Sequence, residues 1–558
     1  MKSLFEFITS RTVTARKDLS VLTVLFGIAF FQFLGRLPLM EPDEGRYSEI
    51  PREMLERGDF VTPMLNYVKY FEKPPLHYWL NIISMKLCGE TEFAGRFPGT
   101  LCGLLTVLFT YYLGRKIFGR REGFLGALIL GSATGFLIQS RINLTDMTLT
   151  FCMTVAIGSF LLASRENEPH KYRHYYLFYL FAALALLAKG LIGFVLPGGV
   201  VFLYLLLCRR WSLLRKMALP SGLLLFIAVA APWFVLVSLR NPEFAHFFFI
   251  HEHFQRFLSN VHGRYQPIWF FIPILLLTML PWSFFVPSAV VQAWRDRKGE
   301  QGDRLIYLLI WAGFIFLFFS KSHSKLIPYI LPVFAPLSLL VGRLFSRCLD
   351  DSVIPRKSGL LVASVLVAIG CGFIAYPFAS LPLFGAIPFA TPTGGMLLGS
   401  LFLLEGVMAF VFVRDGKVAP LFITLVTGGI LLSLTAPHVV LPLVSEKMAS
   451  SRELCRMVKE NAGPDTAVVS VGYEQGLPFY AGRRVILAGS MGELEFGAQR
   501  GDQSAWFMEE GRFPSLWDSG RHVVALITSA DLVKLKSTAV TSVRVIGEDH
   551  RKLLISNR

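Results

Sequence analysis

Cysteine is scarce and unpatterned in this 558-residue chain: there are seven, none in a CxxC pair, and Cys102, Cys152, Cys208 and Cys371 lie within or at the ends of apolar runs. That pattern gives neither a disulfide framework nor a cysteine metal site. Charge is scarce too, with Asp, Glu, Lys and Arg at 17% against 53% hydrophobic residues. Ordinary soluble domains carry about 25% charged residues, so that class is excluded. A Rossmann fingerprint and a P-loop are missing, which removes a ready site for a nucleotide sugar or ATP. Internal repeats and low-complexity segments are missing as well.

What the chain has instead is long apolar runs. Residues 190–208, 217–239 and 265–294 carry no charge and reach or approach the ~20 residues a helix needs to cross hydrocarbon. Aromatics at 14% suit interfacial belts. The excess of 55 Lys and Arg over 39 Asp and Glu, formally +16, sits in short loops between apolar spans rather than in one patch. That placement excludes nucleic acid as the partner and is in part a topology signal. Arg11, Arg16 and Lys17 precede the first apolar run, 21–35, and no small-residue cleavage site follows. A retained first span is expected rather than a removed signal.

The first span is placed at 19–37, followed by a polar segment, 40–96. Within it 75–87 is apolar but too short to cross, and it carries His77 and Lys86; an interfacial helix is predicted. Further spans are predicted near 97–114, 123–140, 147–164, 175–188, 191–208, 217–239, 268–291, 305–320, 326–344, 359–378, 395–413 and 418–437. The total is about 13, with the N-terminus inside and the C-terminus outside. On that count every strongly basic short loop (115–121, 171–174, 209–216, 295–298, 343–357 and 414–417) falls inside. Beyond 442 the character changes. Residues 450–462 read as an amphipathic helix, and β-type runs follow at 467–472, 484–487, 522–528, 540–546 and 553–556. The predicted organisation is a helical membrane domain over 1–442 and a soluble α/β domain over 443–558 on the outer side.

This topology gathers the polar residues that are unusual for a membrane protein at the outer face. One knot is Glu41-Pro42-Asp43-Glu44-Gly45-Arg46-Tyr47; a second is Tyr70-Phe71-Glu72-Lys73-Pro74-Pro75. Asp146, Lys189, His251, Arg256, Lys321, His323 and Lys325 join them from other loops and span ends. Ionisable residues at membrane depth are costly and tend to mark functional sites. Each also has a plainer explanation. Asp43 and Glu44 follow Pro42 at a helix start, where carboxylates favour the dipole. Glu72 and Lys73 could form an exposed pair of little energetic weight. Asp146 could be a helix-terminal acid and Lys189 a snorkelling span end. Glu252 and Arg256 have i,i+4 spacing, while His251 and His253 lack a third metal ligand. Glu405, inside a span, is expected to meet a polar partner between helices.

An apolar first span, then Glu-Pro-Asp-Glu-Gly-Arg-Tyr, then Tyr-Phe-Glu-Lys-Pro-Pro-Leu, then Arg141-Ile-x-x-x-Asp146 resembles the C-type (GT-C) glycosyltransferases. Within them the chain is similar to the bacterial aminoarabinose transferases of lipid A, and more distantly to protein O-mannosyltransferases. The resemblance implies a mostly α, GT-C-fold protein of the bacterial inner membrane with its site and C-terminal domain facing the periplasm. It implies that Asp43 is the essential first-loop acid and Asp146 a second acid near it. Lys73 and Arg256 would hold the phosphate of an undecaprenyl-phosphate sugar donor, with Lys189 further along a basic groove. Arg46 lies in the same motif, and Tyr70 and Tyr329 are candidate wall residues. Glu72 and His251 would line the cavity, with room for a divalent ion but no certain cofactor. Lipid A or another envelope glycan is the implied acceptor, and membrane lipids are partners.

The residues agree with that chemistry. Breaking an anomeric C–O bond releases a phosphate monoester, whose growing charge Lys73 and Arg256 would stabilise. A carboxylate such as Asp43 favours the oxocarbenium-like state, and serves as a general base if the acceptor is a hydroxyl. Two rivals stand beside this: a polyprenyl-phosphate-hexose transferase acting on protein or glycan, and a lipid-linked sugar transporter. A transporter predicts repeats and broken mid-membrane spans, whereas this chain gathers its acids in one outer loop.

Overall fold

Long apolar runs can satisfy their backbone groups in hydrocarbon only as helices, and helices dominate the fold. The structure, a computed structural model, describes residues 6–8, 10–166, 168–249, 266–375, 392–439 and 449–558. They divide into two compact units, one formed by 1–32 with 99–439 and the other by 33–98 with 440–558. The loop assigned by sequence to the membrane region thus shares a unit with the C-terminal domain.

In the first unit a helix or helix pair stands at each expected span, while the exact count of about 13 membrane crossings is not confirmed among the described residues. Among the described residues eight helices are long and apolar enough to cross, or nine if the bent pair Phe271–Thr278 and Ser283–Lys298 is one span. Ile192–Leu207 is apolar but shorter. The expected span 123–140 is two helices, Arg120–Ser132 and Thr134–Gln139. They part at Ala133 because Thr134 donates its backbone N–H to Leu280 O (3.0 Å) rather than to a carbonyl one turn back. Close helix contact rests on small residues, as expected where hydrophobicity cannot drive association. A Cβ on Gly370 would lie 2.6 Å from the Leu403 backbone nitrogen, so only glycine lets helices Arg356–Ala375 and Pro392–Arg414 approach this far. Glu405 lies against Gly428, and its Oε1 takes no hydrogen bond among the described residues, unlike the polar pairing expected for it. The buried Asp18 anchors helix Ala15–Phe31 through Arg120, which donates from Nε (2.9 Å) and Nη2 (2.5 Å).

The second unit is built on a six-stranded sheet. Its strands follow a small hairpin of β1 (Met64–Leu65) and β2 (Val68–Lys69). They are β3 (Ala467–Val471), β4 (Ile486–Ala488), β5 (Phe507–Met508), β6 (Val523–Ile527), β7 (Arg544–Glu548) and β8 (Leu553–Ser556). The order is β5-β4-β3-β6-β8-β7, with β5, β4, β3 and β6 parallel and β8 and β7 antiparallel. Every residue of β3, β6 and β8 is buried, which is why these strands read as continuous apolar runs rather than alternations. Helix Arg452–Asn461 matches the amphipathic segment and buries Leu454, Cys455 and Val458 against the sheet core. The interfacial segment is the 13-residue helix Leu76–Cys88, about 20 Å long at 1.5 Å per residue and too short for a ~30 Å core.

Candidate active site

Hairpin β1–β2 places the second polar knot. Its turn residues Asn66 and Tyr67 have φ of 51° and 60°, the doubly left-handed turn that tight hairpins favour and that asparagine tolerates. Asn66 is held there by pairing its side-chain amide with the Val485 backbone, donating at 2.9 Å and accepting at 3.0 Å. Tyr67 donates its backbone N–H to Glu53 (2.9 Å) and its hydroxyl to Glu56 (2.6 Å). The chain leaves the hairpin at Tyr70, whose N–H bonds Pro63 O (3.0 Å).

The first knot opens helix Asp43–Arg57, and its polar residues have different fates. Glu41 accepts from Ser450 Oγ, from the Gly476 N–H (2.8 Å) and from the Gln475 N–H (3.1 Å). Burial, with Glu474 nearby, pushes its carboxyl up to about 7. Glu44 is buried in a two-point pair with Arg96, at 2.8 and 2.7 Å, while Arg96 also donates to the carbonyls of Leu34, Leu37 and Pro38. Gly45 permits the close approach of helix Gly476–Ala481, since a Cβ there would sit 2.6 Å from the Gly476 nitrogen. Arg46 is buried against the Tyr47 ring and donates to Asp43 Oδ1 (3.0 Å), Tyr70 OH (3.1 Å) and Glu493 Oε2 (2.9 Å). Asp43 alone keeps an open carboxylate, its side chain 53% exposed.

Glu493 escaped the sequence reading, having no signal beyond one acid in a Gly-rich loop. It accepts from Tyr70 OH (3.3 Å) and Gln475 Nε2 (2.8 Å) as well as from Arg46. Burial pushes its carboxyl up and Arg46 opposes the shift. Burial likewise pushes the Tyr70 phenol up, so it stays a donor. Glu72 lies near enough to act on both Tyr70 and Glu493 electrostatically. Lys73 Nζ is 3.8 Å from Glu72 Oε2 and donates to the Glu72 carbonyl at 3.0 Å. One unit therefore brings Asp43, Arg46, Tyr70, Glu72 and Lys73 into a single network.

The other unit holds a second polar set. Asp146, in the first turn of helix Thr145–Ala163, accepts from Lys189 Nζ at 2.5 Å. Lys189 ends helix Lys171–Lys189, and its Nζ lies 4.8 Å from the centre of the Tyr329 ring. An acid, a lysine and an aromatic expected separately are thus one cluster. Lys325 is buried and donates to the Gln266 (2.6 Å) and Ser322 (2.5 Å) carbonyls. His251 and Arg256 lie outside the described residues. Among the described residues no three His, Cys, Asp or Glu side chains converge as a metal site, and both Lys73 and Arg46 lie near enough to act on Glu72.

Residues 72–235 match the family model described as dolichyl-phosphate-mannose-protein mannosyltransferase. Residues 454–557 match that of the aminoarabinose transferase C-terminal domain. An undecaprenyl phosphate-α-4-amino-4-deoxy-L-arabinose arabinosyl transferase of Edwardsiella ictaluri is 30% identical over 518 residues, 89% of this chain and 90% of that protein. The namesake from Aeromonas hydrophila is 36% identical over 321 residues, 57% of this chain and 58% of its own length. The crystal structure of ArnT from Cupriavidus metallidurans bound to undecaprenyl phosphate superposes with a TM-score of 0.85 at 30% identity, covering 98% of this chain and 99% of that one. The chain belongs to the undecaprenyl phosphate-α-4-amino-4-deoxy-L-arabinose arabinosyl transferase family.

Proposed function

We propose that this protein transfers 4-amino-4-deoxy-L-arabinose from undecaprenyl phosphate to a phosphate of lipid A, at the periplasmic face of the bacterial inner membrane. The observation that carries this reading is the fate of the first-loop motif. Glu41, Glu44 and Arg46 are consumed by partners, and Asp43 is left as the open carboxylate beside a buried Arg-Tyr-Glu network. The relatives' names and the match of 454–557 support the aminopentose over a hexose.

In this reading the anomeric C–O bond of the donor breaks and the electron pair leaves with the carrier phosphate. Lys73 stabilises that leaving charge; the family pattern assigns Arg256 to the phosphate as well and Lys189 to a position further along a basic groove. Asp43 faces the oxocarbenium-like sugar, where a negative charge lowers the barrier. A lipid A phosphate is already ionised at neutral pH and attacks without a base, so Asp43 orients the sugar through its amine and developing positive charge. Arg46, fixed by Glu493 and Tyr70, sets the position of Asp43. Asp146 holds Lys189 in register, and the Tyr329 face gives that ammonium an apolar wall.

Mass spectrometry of lipid A from cells with and without the protein tests the assignment. A mass increment of one aminopentose on a lipid A phosphate, present only with the protein, is the expected result. A hexose increment on protein or glycan with lipid A unchanged would replace this reading by the mannosyl-type alternative.

A further inference from the structure

The first unit contains a cavity of about 570 Å³ that the transfer chemistry does not use. Its walls come from basic loops that positive-inside bookkeeping puts in the cytoplasm: the segment before the first helix, the turn at Phe118, residues 295–301 and the end of helix Phe334–Asp351. Arg343, Ser346, Arg347 and Asp350 of that helix all line it, at the spacing that puts residues on one face. Asp296 Oδ2 is shared by Arg343 and Arg347, each at 2.7 Å. Asp350 Oδ2 is shared by Arg11 (2.6 Å) and Arg121 (2.5 Å). Each cluster has two guanidiniums on one carboxylate and so keeps a net positive charge; Arg343, Arg347 and Arg11 line the cavity, while Arg121 is buried behind it and also donates to Ser346 Oγ and O.

Two other wall carboxylates have the opposite character. Glu122 accepts from Ser346 Oγ (2.7 Å), and neither it nor Glu300 pairs with a cation among the described residues. The cavity therefore offers guanidinium in excess at one part and, at another, carboxylates without an ion pair within 4 Å among the described residues, Glu300 acting on Arg304 from further off. Beside it Trp294 is 57% exposed with Arg297 stacked on its ring at 4.2 Å, and Val291 and Val353 are exposed as well. Exposed tryptophan with arginine is the signature of the membrane interface, and basic pockets between membrane helices on the cytoplasmic side take lipid headgroups.

We propose that this cavity binds phosphatidylethanolamine of the cytoplasmic leaflet, its phosphodiester on the Arg343–Asp296–Arg347 cluster and on Arg11 beside Asp350, and its ammonium on Glu122 and Glu300. The site rests on the orientation given under Proposed function, and its occupant is distinct from donor and acceptor. The volume falls in the ~300–1,000 Å³ range of ligand pockets.

The test is native mass spectrometry of the delipidated full-length protein, titrated with short-chain phosphatidylethanolamine, phosphatidylglycerol, phosphatidylcholine and soluble O-phosphoethanolamine. Phosphatidylethanolamine is expected to bind at least fivefold more tightly than either other lipid, which lack its primary ammonium. Arg347→Gln should weaken it at least fivefold. Glu300→Gln, on an exposed loop and outside every ion pair above, should remove the preference over phosphatidylglycerol without affecting folding. Equal binding of the three lipids, or unchanged affinity in both variants, would overturn the site. Displacement of the lipid by an equal concentration of O-phosphoethanolamine would overturn its lipid origin. Orientation is read separately, in a chain keeping the exposed Cys88 as its only cysteine. Labelling of Cys88 by an impermeant thiol reagent only after lysis would refute the orientation and leave the binding result standing.

Discussion

Three carboxylates within four positions, Glu41, Asp43 and Glu44, meet three different environments. Glu44 and Arg96 form a buried pair, their side chains 1% and 5% exposed, and removing one member strands the other charge without water. Breaking such a pair costs on the order of 3–5 kcal/mol. Arg96→Met should therefore lower the melting temperature of the purified protein sharply, and adding Glu44→Gln should restore part of the loss. A melting temperature unmoved by Arg96→Met would show the pair to be incidental. The motif was legible as a place where something happens. Which acid stays available was not, because the partners that occupy the others come from Arg96 and from residues 450–476, far along the chain. Glu493 was invisible for the same reason: its role comes from Arg46 and Tyr70, more than four hundred positions away.

At the scale of elements, helix Asp43–Arg57 looks like a solvated surface helix by composition, yet Glu44 to Met54 are all buried. Its charges are neutralised in place: Arg52 donates to both oxygens of Glu49, at 2.6 and 2.7 Å, and to Glu56 at 2.8 Å. Burial pushes the Glu49 and Glu53 carboxyls up, each affected by the other. Glu41 gives the clearest pH signature. Its folded value of about 7 lies above the ordinary 4.5, so the folded state holds a proton that the unfolded chain has released. That contribution is full below about 4.5 and is lost as pH rises to 7, a change on the order of 3 kcal/mol at 1.36 kcal/mol per pH unit. The melting temperature should fall between pH 5 and 8, and Glu41→Gln should flatten that slope; an equal slope in the variant would refute the assignment. The apolar helices were readable because their runs are long, and the buried β3, β6 and β8 because theirs, though only four or five residues, are continuous. The two-residue β5 and the break at Ala133 were not, since pairing to β4 and the Leu280 carbonyl decide them. Helix Ser529–Thr538 was missed although Thr528 and Asp531 form a capping box that the sequence spells out.

At the scale of the molecule, the fold class and the two-part organisation follow from hydropathy. The division between parts does not, because the 33–98 segment belongs with 440–558 through Glu41, Asn66 and Arg46. Hydropathy reports solvent preference, whereas those contacts are specific hydrogen bonds that no window average detects. Family membership and the open carboxylate converge on one claim, that Asp43 serves transfer rather than structure. The most direct measurement follows aminoarabinose transfer by the purified, reconstituted protein from an undecaprenyl-phosphate donor to lipid A, in wild type and Asp43→Asn. Losing a charge that stabilises the transition state costs about 10²–10³ in kcat, and the account predicts a fall of at least that size in Asp43→Asn, with an unchanged melting temperature. Wild-type turnover by a well-folded Asp43→Asn protein would contradict it.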